Sequence, residues 1–221
     1  KADKKIDKIK KILNEKFGNE VTVADFTNAE NEYIHGDYGN LKMRFSAVGF
    51  RQVNNEAFSS LLEIVSKAVG ETVFSSCADL YCGSGVIGLY LAMKHPNARF
   101  YGIEINEKSI EDAKHNADEN RIKNISFFCG DAASFREKMP SDERPETVVV
   151  DPPRAGLSDK MKKELVSLAP ERIVYVSCNP QTLARDLKSL AENEYDVISV
   201  TPVNMFPMTK HVETVVLLSR A

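Results

Sequence analysis

Three glycines stand at a spacing that suits a backbone passing close to a nucleotide-like ligand. Gly83, Gly85 and Gly88 form a G-x-G-x-x-G pattern between a predicted strand and a predicted helix, and Glu104 follows Gly83 by about 20 residues. Glycines allow close backbone approach, and a carboxylate at that distance accepts hydrogen bonds from ribose hydroxyls. Taken alone, the pattern fits any cofactor that carries a nucleoside.

Charge separates the candidate cofactors. Four predicted strands end at or near a carboxylate, namely Asp79, Glu104, Asp131 and Asp151. If these carboxylates converge on one rim, they repel a pyrophosphate. They attract S-adenosylmethionine, which has a sulfonium, an ammonium and no phosphate. The sequence therefore favours S-adenosylmethionine over a nicotinamide dinucleotide.

One thiol is placed as a nucleophile. Cys178 ends an apolar strand, Asn179 suits the N-cap of the next helix and Pro180 suits its first position. A thiol in front of a helix N-terminus is expected to have a lowered pKa and a raised thiolate fraction. The other three cysteines lie in or against strands and are predicted to be buried and structural: Cys77, Cys82 and Cys129.

Two further carboxylates stand beside apolar strands. Asp151-Pro152-Pro153-Arg154 forms a stiff loop whose carboxylate and carbonyls suit the N–H groups of a planar base, although a plain rigid turn fits equally well. Glu213 lies in the apolar segment HVETVVLLS. The period-two spacing there favours a position at the solvent edge of a sheet, the alternative being a site that raises its pKa.

The elements that position these residues alternate between strand and helix from residue 57 onward, which predicts a parallel sheet covered on both faces. Such sheets bind ligands beyond the carboxyl ends of their strands. Residues 1–20 have the spacing of an amphipathic helix, and residues 21–50 predict short strands around a glycine turn. The predicted domains are an N-terminal helix and β appendage over 1–50, the remnant of a central domain, and a catalytic domain over 51–221.

Composition excludes several classes of protein. With 43% hydrophobic and 28% charged residues in 221, the chain is an ordinary globular sequence, and no window approaches a membrane span. Four scattered cysteines predict no disulfide framework and no metal or iron–sulfur site, and the absence of a secretory signal predicts a cytoplasmic protein. A net charge of −3 predicts no broad field for binding phosphates.

Six segments together resemble the catalytic half of the RNA uracil-5-methyltransferase family. They are FRQVNNEAF (50–58), DLYCGSGVIGL (79–89), GIEINEKSIEDAKHNA (102–117), VVVDPPRAGL (148–157), IVYVSCNPQTLARDL (173–187) and HVETVVLL (211–218). The resemblance implies a Rossmann-like methyltransferase fold that depends on S-adenosylmethionine, with a mostly parallel seven-stranded α/β sheet. It places the cofactor contacts at Gln52, Tyr81, Val86, Glu104, Asp131 and Asp151.

The resemblance also implies a mechanism and a substrate, a uridine in tRNA or rRNA. Cys178 adds to C6 of the uracil, C5 takes the methyl group, and Glu213 removes the C5 proton, which reverses the expectation of a solvent edge for Glu213. Asp151, with Gln52, orients the uracil. The base must leave its stack, and Phe50 or Phe206 are candidate stacking partners.

Full-length members of the family carry an N-terminal RNA-binding domain and a longer central domain, which this sequence does not show. We therefore expect RNA binding to need that domain, and the chain to be a natural short form or a catalytic fragment. Two alternative functions stay open. One is methylation of an exocyclic amino group of adenine or guanine, although Arg154 stands where such enzymes usually have an aromatic residue. The other is an inactive cofactor-binding domain that serves assembly.

Overall fold

The computed structural model of the protein describes residues 11–12, 15, 33–46, 51–52, 54–70, 74–209 and 211–221. Lys11, Ile12 and Glu15 are helical, as the spacing of residues 1–20 predicts. The remainder of that predicted helix and the candidate stacking residue Phe50 lie outside the described residues. In the part of the chain that is described, no helix is long and apolar enough to cross a membrane.

A seven-stranded sheet forms the centre of the molecule. Its strands are β3 (Ser76–Leu80), β4 (Arg99–Glu104), β5 (Ile125–Cys129), β6 (Thr147–Val150), β7 (Arg172–Ser177), β8 (Tyr195–Val203) and β9 (Glu213–Arg220). They lie in the order β5-β4-β3-β6-β7-β9-β8, and β9 runs antiparallel to both of its neighbours while the other pairs are parallel. The predicted mostly parallel sheet is confirmed.

Helices cover both faces of this sheet. One face packs against α1 (Asn55–Val69), α2 (Val86–Lys94) and α3 (Glu107–Glu119); the other packs against a 3₁₀ helix (Ala132–Glu137), α4 (Asp159–Leu168) and α5 (Pro180–Ala191). Because side chains alternate along a strand, Cys77 joins the first core and Ala78 and Leu80 the second. The same alternation turns Asp79 toward the face that carries α2.

A β-hairpin packs on the face that carries α3. Its strands are β1 (Tyr33–Tyr38) and β2 (Leu41–Ser46), joined by a turn in which Gly39 has a φ of 61°. The buried carboxylate of Asp112 in α3 accepts hydrogen bonds from the backbone N–H (2.6 Å) and the hydroxyl of Ser46 and forms an ion pair with Arg44 at 3.1 Å. Four hairpin side chains belong to the same core as the sheet: Tyr38, Leu41, Met43 and Phe45.

Candidate functional site

The glycine turn joins β3 to α2 and lies against the end of β4. Gly83 and Gly85 both have positive φ, 54° and 84°, and Gly85 is the N-cap of α2. The Glu104 carboxylate accepts hydrogen bonds from the N–H of Gly83 (3.3 Å) and of Asn106 (2.9 Å). The turn after β3 and the turn after β4 are therefore joined at the carboxyl edge of the sheet.

The three glycines serve different purposes. A Cβ on Gly85 would lie 2.8 Å from the Phe127 ring, and one on Gly88 would lie 2.9 Å from a carboxylate oxygen of Asp79, so these two glycines allow close internal packing. A Cβ on Gly83 would meet no atom within 4 Å. Gly83 thus presents its backbone to open space, which is the approach that a cofactor with a nucleoside needs.

Asp79 does not belong to the acidic rim, contrary to the expectation from sequence. Its side chain is 1% exposed, and one oxygen accepts a hydrogen bond from the Gly88 N–H at 2.8 Å while the other has no partner. Burial raises the pKa of Asp79 to about 7. The alternation of β3 explains the inward direction, and three carboxylates rather than four remain at the rim: Glu104, Asp131 and Asp151.

The residues predicted to contact the cofactor are distributed along this edge. Tyr81 follows β3 with a φ of 66°, and burial followed by the charges of Asp131, Asp186 and Glu104 raises its pKa to about 12. Asp131 is exposed after β5, and its carboxylate accepts a hydrogen bond from Ala133 N–H at 3.0 Å. Val86 is buried at the start of α2, and Gln52 is half-buried.

The two predicted catalytic residues are neighbours. β7 and β9 are antiparallel, and Ser177 pairs with Thr214. Cys178 follows Ser177 and Glu213 precedes Thr214, so both residues lie just beyond this pair, and the charge of Glu213 acts on the Cys178 thiol. Cys178 is half-buried, whereas Glu213 is 4% exposed. The solvent-edge interpretation of Glu213 is wrong, because β9 lies between β7 and β8 rather than at the border of the sheet.

Asp151 and Arg154 complete this cluster from the loop after β6. Burial, then Glu213 and Asp79, raise the pKa of Asp151 to about 8. Burial also raises the pKa of Glu213, and the Arg154 guanidinium lowers it. The charge of Glu213 therefore affects the pKa of Asp151, and the charge of Arg154 affects the pKa of Glu213.

The Cys178 thiol differs from the expectation. Its pKa is raised rather than lowered, first by burial and then by the carboxylates of Glu213 and Asp151, while Arg154 acts in the opposite direction. The start of α5 is nevertheless as predicted. Asn179 is its N-cap, accepting a hydrogen bond from Gln181 N–H at 3.1 Å, and Pro180 is its first residue.

The loop that follows Asp151 is fastened to the beginning of α5. The Arg154 carbonyl accepts hydrogen bonds from the side-chain amide of Asn179 (3.1 Å) and the hydroxyl of Thr182 (3.2 Å), and the Ala155 carbonyl accepts one from Arg185 (2.9 Å). The segment that carries Cys178 and the loop after β6 are therefore joined by hydrogen bonds.

Sequence reasoning missed Asp186 and misplaced Cys129. Asp186 is completely buried beneath this loop. The sequence could have indicated its burial, because Asp186 lies with Leu183 and Leu190 on the apolar stripe of α5. Cys129 is exposed at the end of β5, a border strand, and is not a buried structural cysteine.

Phe206, a candidate stacking partner, is half-buried, in an edge-to-face contact with His211. Within the described residues, no group of three or more His, Cys, Asp or Glu is arranged to hold a metal ion.

Comparison with known proteins gives the same family for most of the chain. The family described as tRNA (uracil-5-)-methyltransferase matches residues 27–221. An uncharacterized RNA methyltransferase of Bacillus cereus is 42% identical over 95% of this chain and 45% of the relative, and one of Chlorobaculum tepidum is 42% identical over 92% and 44%. The chain spans less than half the length of these relatives.

Solved structures agree on the fold. The tRNA (uracil-54, C5)-methyltransferase of Pyrococcus abyssi, in complex with S-adenosyl-L-homocysteine, superposes with a TM-score of 0.72 at 33% identity, over 85% of this chain and 44% of that one. The magnesium protoporphyrin IX methyltransferase of Synechocystis PCC 6803 has a TM-score of 0.59 at 17% identity, over 78% and 86%, which is a likeness of fold alone.

Proposed function

The chain belongs to the tRNA (uracil-5-)-methyltransferase family, and we propose that it transfers a methyl group from S-adenosylmethionine to C5 of a uridine in RNA. The observation that carries the proposal is the cluster of Cys178, Glu213, Asp151 and Arg154 at the carboxyl edge of the sheet. In the proposed reaction Cys178 is the nucleophile, Glu213 takes the proton and Asp151 binds the uracil.

The cofactor fits the residues that line this edge. Gly83 leaves open space beside its backbone, and the Glu104 carboxylate at the end of β4 suits the ribose hydroxyls. The other residues that would hold the cofactor are Gln52, Tyr81, Val86, Asp131 and Asp151. When bound, S-adenosylmethionine supplies the methyl group as an electrophile.

Cys178 makes the uracil reactive. C5 of uracil is a poor nucleophile, so a thiolate must first bond to C6 and move an electron pair toward C5 and the O4 enolate. Arg154 favours the thiolate against burial and two carboxylates. Asp151, with its pKa near 8, has a protonated form at neutral pH that can donate a hydrogen bond to the uracil as well as accept one.

Glu213 acts after the methyl transfer. C5 then carries both a methyl group and its original proton. Glu213 takes that proton, the electron pair restores the C5–C6 double bond, and the Cys178 sulfur leaves. Burial raises the pKa of Glu213, which brings it closer to the range in which a carboxylate accepts a proton efficiently.

The RNA must present the uridine unstacked, because C5 and C6 are covered in a helix. Phe206 and Phe50 are the proposed stacking partners. We place most of the RNA affinity in an N-terminal RNA-binding domain, in keeping with the net charge of −3. We also propose that the reaction takes place in the cytoplasm.

A fluorinated substrate tests the chemistry. An RNA pool containing 5-fluorouridine, at a concentration high enough to compensate for weak RNA binding, is incubated with the chain and S-adenosylmethionine, and covalent protein–RNA adducts are separated under denaturing conditions. Fluorine at C5 cannot leave as a proton, so the bond between Cys178 and C6 should persist. Cys178→Ala should form no adduct, whereas Cys129→Ala, which changes an exposed cysteine outside the cluster, should form it normally.

Three results would contradict the proposal. They are an adduct that survives in Cys178→Ala, a methylated exocyclic amino group of adenine or guanine among the products, and binding of S-adenosylhomocysteine with no methyl transfer to any tRNA or rRNA at a concentration that compensates for weak RNA binding. The last result would favour a cofactor-binding assembly domain.

A further inference from the structure

Asp186 is a completely buried carboxylate with a full set of partners. One of its oxygens accepts hydrogen bonds from the Leu157 N–H (2.7 Å) and the Tyr175 hydroxyl (2.9 Å). The other accepts two from the Arg185 guanidinium, at 3.0 and 2.9 Å, and lies 3.8 Å from the Lys162 ammonium. Its charge is thus compensated within the protein, and its position is fixed from three elements.

The loop over residues 154–157 lies directly on this carboxylate. Gly156 has a φ of 77°, and a Cβ there would lie 2.4 Å from an Asp186 oxygen and 2.7 Å from the Arg185 guanidinium. Arg185 also donates to the Ala155 carbonyl at 2.9 Å. Asp186 therefore holds the loop twice, directly through Leu157 and indirectly through Arg185.

This fastening contributes to the position of Arg154, the first residue of the loop. Arg154 is exposed, so packing contributes little to the position of its side chain, and its backbone carbonyl is bound by Asn179 and Thr182 of α5. From this position its guanidinium favours the Cys178 thiolate, which Glu213 and Asp151 disfavour. Movement of the loop would remove the one group among these that acts in favour of the thiolate.

We infer that Asp186 is a positioning residue for the methyl transfer: by fastening the 154–157 loop to α5, it keeps the Arg154 guanidinium beside the Cys178 sulfur. The catalytic consequence rests on the proposed function, whereas the positioning itself concerns only this chain and is measured without RNA or cofactor. A merely structural carboxylate would stabilise the fold and leave the reactivity of Cys178 unchanged.

Asp112 provides a matched control. It too is buried, at 1% exposure, and it too binds a backbone N–H, a hydroxyl and an arginine, here Ser46 and Arg44. It fastens the β1–β2 hairpin to α3, away from Cys178. Asp186→Asn and Asp112→Asn therefore remove similar interactions at two places, only one of which holds the loop.

The experiment measures alkylation of Cys178 by iodoacetamide as a function of pH in the full chain, with the Cys178 peptide quantified by mass spectrometry. Asp186→Asn should raise the apparent pKa of the thiol by about one unit and slow alkylation about tenfold at neutral pH. Arg154→Gln should do the same, and the double variant should resemble Arg154→Gln alone. Asp112→Asn should leave the profile of Cys178 unchanged.

Arg185→Gln removes the hydrogen bond to the Ala155 carbonyl, and the Arg185 side chain is half-exposed. This variant should also raise the pKa of Cys178, which provides a test if Asp186→Asn does not fold. An unchanged Cys178 profile in Asp186→Asn or, should that variant not fold, in Arg185→Gln would overturn the inference. So would an effect of Asp186→Asn that adds fully to that of Arg154→Gln. Failure of methyl transfer in the unaltered chain at saturating RNA would overturn the proposed function but not this result.

Discussion

The side-chain amide of Asn179 donates a hydrogen bond to the backbone carbonyl of Arg154 over 3.1 Å, while its oxygen accepts one from the N–H of Gln181. One side chain therefore both begins α5 and ties the loop after β6 to that helix. Because Asn179 directly follows Cys178, this hydrogen bond ties the loop to the segment that carries the Cys178 thiol.

Replacing Asn179 with Ala should affect both stability and reaction. Loss of the N-cap costs about 1 kcal/mol of unfolding free energy, as for other helix caps. Loss of the tie to Arg154 should also slow adduct formation with fluorouridine RNA about tenfold or more, since misplacement of reacting groups is costly. Urea unfolding and the rate of adduct formation give the two values.

Ser158→Ala is the matched control, because Ser158 caps α4 through the Met161 N–H at 3.1 Å and does not bind the Arg154 carbonyl. It should lose a similar amount of stability and keep the rate of adduct formation. Equal rates in the two variants would show that the tie from Asn179 has no part in the reaction.

Replacing Glu213 with Gln should change two steps in opposite directions. Removing its charge lowers the pKa of Cys178, so alkylation of the thiol at mildly alkaline pH should become several-fold faster, for a shift of up to about one unit. Removal of the C5 proton should fail, so a covalent adduct should accumulate even on ordinary uridine RNA. Alkylation kinetics and denaturing electrophoresis measure these effects.

Glu192→Gln, at an exposed position at the end of α5, should alter neither measurement. Slower alkylation in Glu213→Gln would mean that Glu213 assists the thiolate instead of repelling it, and rapid release of methylated RNA would exclude it as the base.

Much of the site could be predicted because it depends on local signals. The glycine turn, the N-cap at Asn179 and the apolar strands before Glu104, Asp151 and Cys178 are properties of short segments. In a parallel sheet, those segments bring their carboxyl ends to one edge. The edge of the sheet at which these residues lie could therefore be predicted from short segments of the sequence.

The errors concern long-range packing. Glu213 is buried because β9 inserts between β7 and β8, a pairing that no local pattern encodes. Asp79 turns inward because its strand is covered by α2, and Cys129 is exposed because β5 borders the sheet. The pKa of Cys178 is raised first by burial and then by the carboxylates of Glu213 in β9 and Asp151 after β6, which are distant from it in the sequence.

The buried carboxyl of Asp79 should make stability depend on pH. Its pKa is about 7 in the folded chain, against 3.8 ordinarily, so the folded state retains a proton that the unfolded state releases. This stabilising contribution is complete below about pH 4 and is lost as the pH rises through about 7. In Asp79→Asn, which cannot ionise and can still accept from the Gly88 N–H, the decline in unfolding free energy over that range should be smaller by about 1 kcal/mol or more.

Urea unfolding at several pH values measures this slope. The control is Asp159→Asn, because Asp159 is exposed and its bond to Lys162 lowers its pKa. Its contribution is lost as the pH falls, so its removal should not flatten the decline toward alkaline pH. Identical slopes for Asp79→Asn and the unaltered chain would show that Asp79 is ionised throughout.

Gly83→Ala should weaken cofactor binding more than it weakens the fold. The left-handed backbone at Gly83 disfavours a side chain by about 1 kcal/mol, while the new methyl group meets no protein atom within 4 Å. If the open space is where the cofactor lies, that methyl group should lower the affinity for S-adenosylhomocysteine about tenfold or more. Isothermal calorimetry and urea unfolding provide the comparison.

Gly39→Ala separates the effect of backbone strain from the effect of filling the space in which the cofactor would lie. Gly39 has a similar φ of 61° in the β1–β2 turn, and a Cβ there would meet only the Tyr90 ring at 3.9 Å. It should lower the free energy of unfolding by the same amount as Gly83→Ala and should bind S-adenosylhomocysteine normally. Gly88→Ala should behave in a third way, because its methyl group would press on Asp79 and destabilise the fold directly. Equal affinities for all three variants would mean that the cofactor lies elsewhere than against the glycine turn.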